Sequence, residues 1–101
     1  MKSIMPDGDM CCAACGSRCN LERHHIFFGA ANRKLSEEDG LTVMLCAEHH
    51  RGNTGVHGGN RRLDLDLKAA GQYAYMSHYG KTLDDFIQRY GKNYMNTEEE
   101  L

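Results

Sequence analysis

The chain has 101 residues, 12 Lys and Arg against 14 Asp and Glu, a formal net charge of -2, 41% apolar residues, no Trp and one Pro. That length fits one small globular domain and excludes a multidomain enzyme; no apolar run approaches the ~18 residues of a membrane span, and the apolar content argues against disorder. A domain this short buries only about two-thirds of its unfolded surface, so the five Cys and six His stand out as a second source of stability.

Residues 1–10 lack the apolar stretch of a signal peptide and read as a flexible lead-in, which implies the reducing cytoplasm. Cysteines there serve metals or catalysis before disulfides, and an odd count of five leaves one unpaired in any disulfide scheme. Cys11 to Asn20 is too polar and too rich in small residues for a helix and reads as a knuckle. Leu21 to Phe28, bounded by Asn20 and Gly29, predicts a strand. Gly29 to Gly40 reads as a polar connection holding a short helical turn capped by Ser36. Leu41 to Leu45 predicts a second strand leading into a helical segment, Cys46 to Arg51, and then a glycine loop with Gly at 52, 55, 58 and 59.

Beyond Asn60 the period becomes 3.6. Leu63, Leu67, Ala70, Ala74 and either Met76 or His78 share one face of a helix over roughly 62–78, weakened but not ended by Gly71 and closed by Gly80. Thr82, with Asp85 three residues on, predicts the start of a further helix carrying Leu83, Phe86, Ile87 and Tyr90. These two helices, over 61–95, read as scaffold packed on a core at 11–60, and 96–101 reads as an acidic, solvated tail.

The pairs Cys12-x-x-Cys15 and Cys46-x-x-His49 each have the spacing that aims two side chains at one ion from a knuckle or a first helical turn. Together they predict a tetrahedral structural Zn2+ site whose binding energy is folding energy. Cys11 and Cys19 are then spare, or one of them substitutes for a chosen ligand. His49 and His50 are splayed by about 100° at a helix start, so one faces the zinc and the other away. That leaves His24, His25, His50 and His57 as a second constellation of metal and base groups; neighbours on a strand point apart, but twist or a bulge near its end can turn both inward.

A net charge of -2 argues against a polyanionic partner, but its distribution does not. Ser17 to Arg62 holds seven basic residues (Arg18, Arg23, Arg33, Lys34, Arg51, Arg61, Arg62) against five acidic ones, and five of the six His; from Leu63 on the balance is four basic to seven acidic.

Cys-x-x-Cys-Gly, then Leu-Glu-Arg-His-His-Ile, then an apolar strand ending in Leu-Cys-x-x-His-His resembles the HNH or His-Me finger nucleases. The run from His24-His25-Ile-Phe-Phe-Gly through Asn32-Arg33-Lys34, His50 and Gly55-Val-His57 to the final Tyr-Gly-Lys-Asn-Tyr is similar to small phage and prophage proteins of the recombination-enhancement (Ref-like) nuclease group. The resemblance spans residues 12 to about 95. It implies a small α+β fold with a ββα-metal core and zinc knuckle, followed by two C-terminal helices. It assigns His25 as general base, His24 and His50 as ligands of a catalytic metal, and His57 as a further ligand or a phosphate contact. The implied activity is DNA endonuclease, serving phage recombination or DNA processing, with a phage or host recombination protein as a further partner. The middle Asn of the motif, which holds the loop bearing the base, is missing here: that region reads Glu-Asp-Gly-Leu, and Asn32 is the candidate to take over.

Chemically, a neutral imidazole with a pKa near ~6.5 can deprotonate water, and a His-bound divalent ion can stabilise the phosphoryl charge. Mg2+ is the first expectation; a histidine set also suits Mn2+, Ni2+ or Zn2+. Arg23, Arg33, Lys34, Arg51, Arg61 and Arg62 are candidate DNA contacts. A zinc-stabilised module that binds DNA or protein without cutting is the competing reading, and it needs neither His25 nor His50. Redox chemistry at Cys12 and Cys15 is weaker, since no thioredoxin-like βαβ pattern surrounds them.

Overall fold

The structure is a computed structural model and describes residues 2–95; the acidic tail at 96–101 lies outside them. The chain is a small α+β unit. Strand β1 (Leu21–His25) pairs antiparallel with β2 (Thr42–Cys46), and helix α1 (Ala30–Asp39) connects them. Helix α2 (Ala47–Arg51) follows β2 directly, then a 3-10 turn (Val56–Gly58), helix α3 (Arg61–Tyr79) and helix α4 (Leu83–Tyr90). Among the described residues no helix is long and apolar enough to cross a membrane.

The register sets Leu21 opposite Cys46, His24 opposite Val43 and His25 opposite Thr42. β1 is shorter than expected because Ile26 and Phe27 leave it to become the buried floor of the core, the Ile26 N–H still donating to Leu41 O. Ser36 holds that departure. Its hydroxyl donates to Phe27 O at 2.8 Å and accepts from Phe27 N at 3.0 Å, wholly buried. Ser36 therefore lies inside a ten-residue helix and caps nothing, which corrects the expected short turn. The segment AANRKLSEED has good helix formers but only one large apolar residue, Leu35, so no periodicity announced it.

Residues 2–10, expected to be a flexible lead-in, are tied down. Ile4 N donates to Gly40 O at 2.9 Å, Met44 N to Gly8 O at 2.9 Å, and Ile4 and Met5 pack against the core. At the other end α4 starts with Thr82 and Asp85 in a reciprocal capping box. It docks on α1 through Asp39, which accepts from Arg89 Nε at 2.6 Å and from Tyr90 OH at 2.7 Å. Asn32 serves the same seam, donating to Tyr90 O at 3.2 Å. Its amide N–H is thus turned toward α4.

On α3 the buried positions are Leu67, Gly71, Gln72 and Tyr75. Ala70 is exposed, against expectation, because the stripe runs through a glycine that a hydropathy pattern skips, and of the alternatives Met76 and His78 it is Met76 that packs on the core. Gly71 is where α3 touches the floor: a Cβ there would lie 3.0 Å from Ile26 Cγ2 and 3.2 Å from Phe27 Cε2. Both neighbours are fully buried and have no room to move. Gly71→Ala gains up to about 1 kcal/mol of helix propensity but overpacks a close-packed site at a cost of about 1–3 kcal/mol. A net loss of about 1 kcal/mol is expected in urea unfolding; a stabilised variant would show that α3 can back away.

Candidate metal and active centre

The knuckle is a tight turn. Gly16 N donates to Cys12 O and Cys12 N to Ser17 O, both at 2.8 Å, with Gly16 at φ 79. Ala13 N donates to Met44 O, so the turn lies along β2 and brings its sulfurs to the strand's end, where Cys46 closes β2 and His49 sits in the first turn of α2. His49 Nδ1 is 3.2 Å from Cys46 Sγ and 3.9 Å from Cys12 Sγ, and Cys15 Sγ is 3.9 Å from Cys46 Sγ. Zn–S bonds of about 2.3 Å and Zn–N bonds of about 2.0 Å at the tetrahedral angle separate ligand atoms by roughly 3.5–3.8 Å. The four side chains could hold a metal ion and are consistent with zinc. Burial would push the Cys12 thiol up, but hydrogen bonds from the backbone of Cys46, Cys15 and Ala14 bring it down to about 6, favouring the thiolate. Cys11 and Cys19 stay outside this group.

The second group forms on the other side of α2. His24 from β1, His50 from α2 and His57 from the 3-10 turn bring one nitrogen each within 4.8 Å of one another. Their ring centroids are 4.9 to 5.3 Å apart, edge to face. The loop carrying His57 reaches them because it packs on the α2 backbone: a Cβ on Gly55 would lie 2.7 Å from Glu48 O. His24 is 2% exposed and its Nε2 is buried with no hydrogen-bond partner. A buried lone pair with no donor is costly unless something binds it. Burial first, then the neighbouring His50 and His57, hold His24 down to about 3, and His57 is lowered by burial, so both are neutral at pH 7. At His50, Nδ1 lies 2.8 Å from Glu22 Oε1. Glu22 is held to about 2 by the hydrogen bonds from Arg51 and His50. An ionised carboxylate only accepts, so Nδ1 carries the proton and Nε2 offers the lone pair. The donor set is all imidazole, which fits Mn2+, Ni2+, Co2+ or Zn2+ better than Mg2+.

His25 lines the same cavity, about 270 Å³, together with Arg23, His24, Phe28, Arg33, His50 and His57. It lies at the last position of β1, where the chain bends away, so strand neighbours share one cavity. His25 is not one of the convergent nitrogens. Its Nε2 lies 2.8 Å from Glu37 Oε1 instead.

No family model, curated protein or solved structure matches this chain. Its chemistry therefore rests on its own geometry.

Of the expected cationic contacts, Arg23, paired with Asp9 at 3.1 Å, and Arg33 line the histidine cavity, and Lys34 lines an adjoining one of about 550 Å³ with His25, Arg33 and Glu37. Arg51 is paired with Glu22 at 2.9 Å, and Arg62 with Asp66 at 3.2 Å. Arg61 and Arg62 line neither of these two cavities. Lys68, read from sequence as scaffold, belongs here: its Nζ is 4.2 Å from the Phe28 ring centroid and 3.0 Å from Asp64 Oδ2, and its charge helps depress His24 and His57. Glu22, Glu37 and Lys68 had no sequence signal as site residues, since each is an ordinary charge on a strand or helix until the partner is known.

His24 gives the site a pH signature. The unfolded chain takes a proton near pH 6.5 and the folded one only near 3. Its contribution is present above 6.5 and is lost as pH falls toward 3. With zinc bound and no second metal, wild type should lose up to about 1.4 kcal/mol per pH unit below 6.5 from this group, and His24→Gln should remove that slope. Equal slopes in urea unfolding at pH 7.5 and 5.5 would refute the assignment.

Proposed function

We propose that this protein is a metal-dependent DNA endonuclease of the HNH or His-Me finger type, with β1, β2 and α2 as its ββα-metal core. The observation that carries the reading is the division of labour in one cavity. Three imidazoles converge, one with an orphaned buried nitrogen, while a fourth lies against a carboxylate instead. A purely structural zinc module needs only the first, cysteine-rich group.

His24, His50 and His57 would hold a divalent ion, which when bound supplies Lewis-acid stabilisation of charge on the phosphoryl and leaving 3′ oxygens. His25 takes a proton from the attacking water at the nitrogen left open by Glu37. Arg23 and Arg33 at the cavity wall hold phosphate oxygens, with Lys34 and Lys68 adding positive potential on either side. The resemblance to the recombination-enhancement group supports a role in phage recombination or DNA processing. Supercoiled plasmid incubated with the zinc-loaded chain and a second divalent metal tests the reading: conversion to open circles that stops on omitting that metal supports it. A binding module without catalysis would retard the plasmid and leave it supercoiled.

A further inference from the structure

A histidine acting as general base needs a partner that fixes its ring, and the Asn32 amide N–H is turned toward Tyr90 O on α4. We infer that Glu37 does that work from a different element, as the positioning residue that fixes the His25 ring for proton abstraction. The role of His25 as base rests on the proposed nuclease activity, whereas its contact with Glu37 does not. Glu37 Oε1 lies 2.8 Å from His25 Nε2. The His25 side chain is 15% exposed and borders both cavities, and Glu37, 45% exposed, meets it from the wall of the second.

Helix α1 is a rigid mount. One residue before Glu37, Ser36 is pinned by two hydrogen bonds to Phe27, two residues beyond His25 itself. Two residues after it, Asp39 is clamped by Arg89 and Tyr90. The carboxylate and the imidazole are thus mounted on backbone fixed on both sides, and Arg23 Nε lies 4.0 Å from the same oxygen. A carboxylate ionised at neutral pH can only accept, so it selects the ring tautomer with hydrogen on Nε2. Nδ1 is then the atom with an open lone pair, in a fixed ring plane. Without Glu37 the neutral ring is free to exchange tautomers and turn about χ2, and a misplacement of about 1 Å at a reacting group costs on the order of 100-fold in rate.

The test compares wild type, Glu37→Ala and Glu37→Gln, zinc-loaded, in two measurements. Nitrogen-15 shifts of the histidine rings at pH 8, with no second metal, report the tautomer; steady-state nicking of plasmid DNA with Mn2+ reports kcat and KM. Wild type should hold His25 with hydrogen on Nε2. Glu37→Ala should show mixed tautomers and a kcat lower by about 10- to 100-fold, with KM within about twofold. Glu37→Gln, which keeps an acceptor oxygen at the same reach, should restore the tautomer and part of the rate. Zinc content should stay constant throughout. The inference is overturned if Glu37→Ala leaves the His25 shifts unchanged, nicks like wild type, or changes KM alone. A wild type that cuts nothing overturns the nuclease reading instead, and the nitrogen shifts still uphold or overturn the anchoring.

Discussion

His25→Ala should slow plasmid nicking by about 100- to 10,000-fold, the usual worth of a positioned general base. The zinc content of the variant should not change, because the cysteine-rich group shares no ligand with the histidine cavity. Its fold should survive: the side chain is 15% exposed and contributes no apolar packing to the core. His50→Ala is expected to give a similar loss of rate for a different reason, since it removes one of three convergent nitrogens. The two are distinguished by titrating the second metal. His50→Ala should need far more of it, whereas His25→Ala should bind it as wild type does. A His25→Ala chain that cuts at the wild-type rate would remove His25 from the chemistry.

Stripping zinc should have the largest effect on stability. Among the described residues the buried apolar set is small, eleven side chains from Cys12 to Tyr90, and the knuckle is held to the sheet by few hydrogen bonds. Structural zinc in small modules contributes roughly 10–16 kcal/mol of apparent binding free energy at pH 7, against a typical domain stability of about 5–15 kcal/mol. Cys46→Ser, or a strong chelator, is therefore expected to abolish cooperative unfolding and most helical circular dichroism. Cys46 is the sharpest choice because it ends β2 and caps α2, and its sulfur lies 3.9 Å from Cys15 Sγ on the knuckle and 3.2 Å from His49 Nδ1 on the helix. Cys11→Ser and Cys19→Ser should keep one equivalent of zinc. A chelated chain that retains its helices and its melting transition would show that packing alone suffices.

What could be read in advance was what short-range spacing controls. The C-x-x-C and C-x-x-H pairs are separations that a turn and a helix start translate directly into a shared point, so Cys12, Cys15, Cys46 and His49 were legible. The capping box at Thr82 and Asp85 was legible for the same reason. Helix α1 was not, because its buried contacts are one leucine and one serine, and a serine that replaces backbone partners looks like a turn residue. The order in residues 2–10 comes from backbone hydrogen bonds and from Ile4 and Met5 packing on the core, too few apolar positions to show a period. Glu22, Glu37 and Lys68 acquire meaning only once the fold brings a histidine or a ring within about 3–4 Å.

The proposed nuclease activity requires the histidine cavity to cut a phosphodiester with a second metal. Zinc-loaded wild-type protein, incubated with supercoiled plasmid across Mg2+, Mn2+, Co2+, Ni2+ and no added metal, tests it most directly. Open circles should appear with the imidazole-preferring ions, more slowly with Mg2+, and not at all without a second metal or in His25→Ala. Plasmid that stays supercoiled with every ion would contradict the claim.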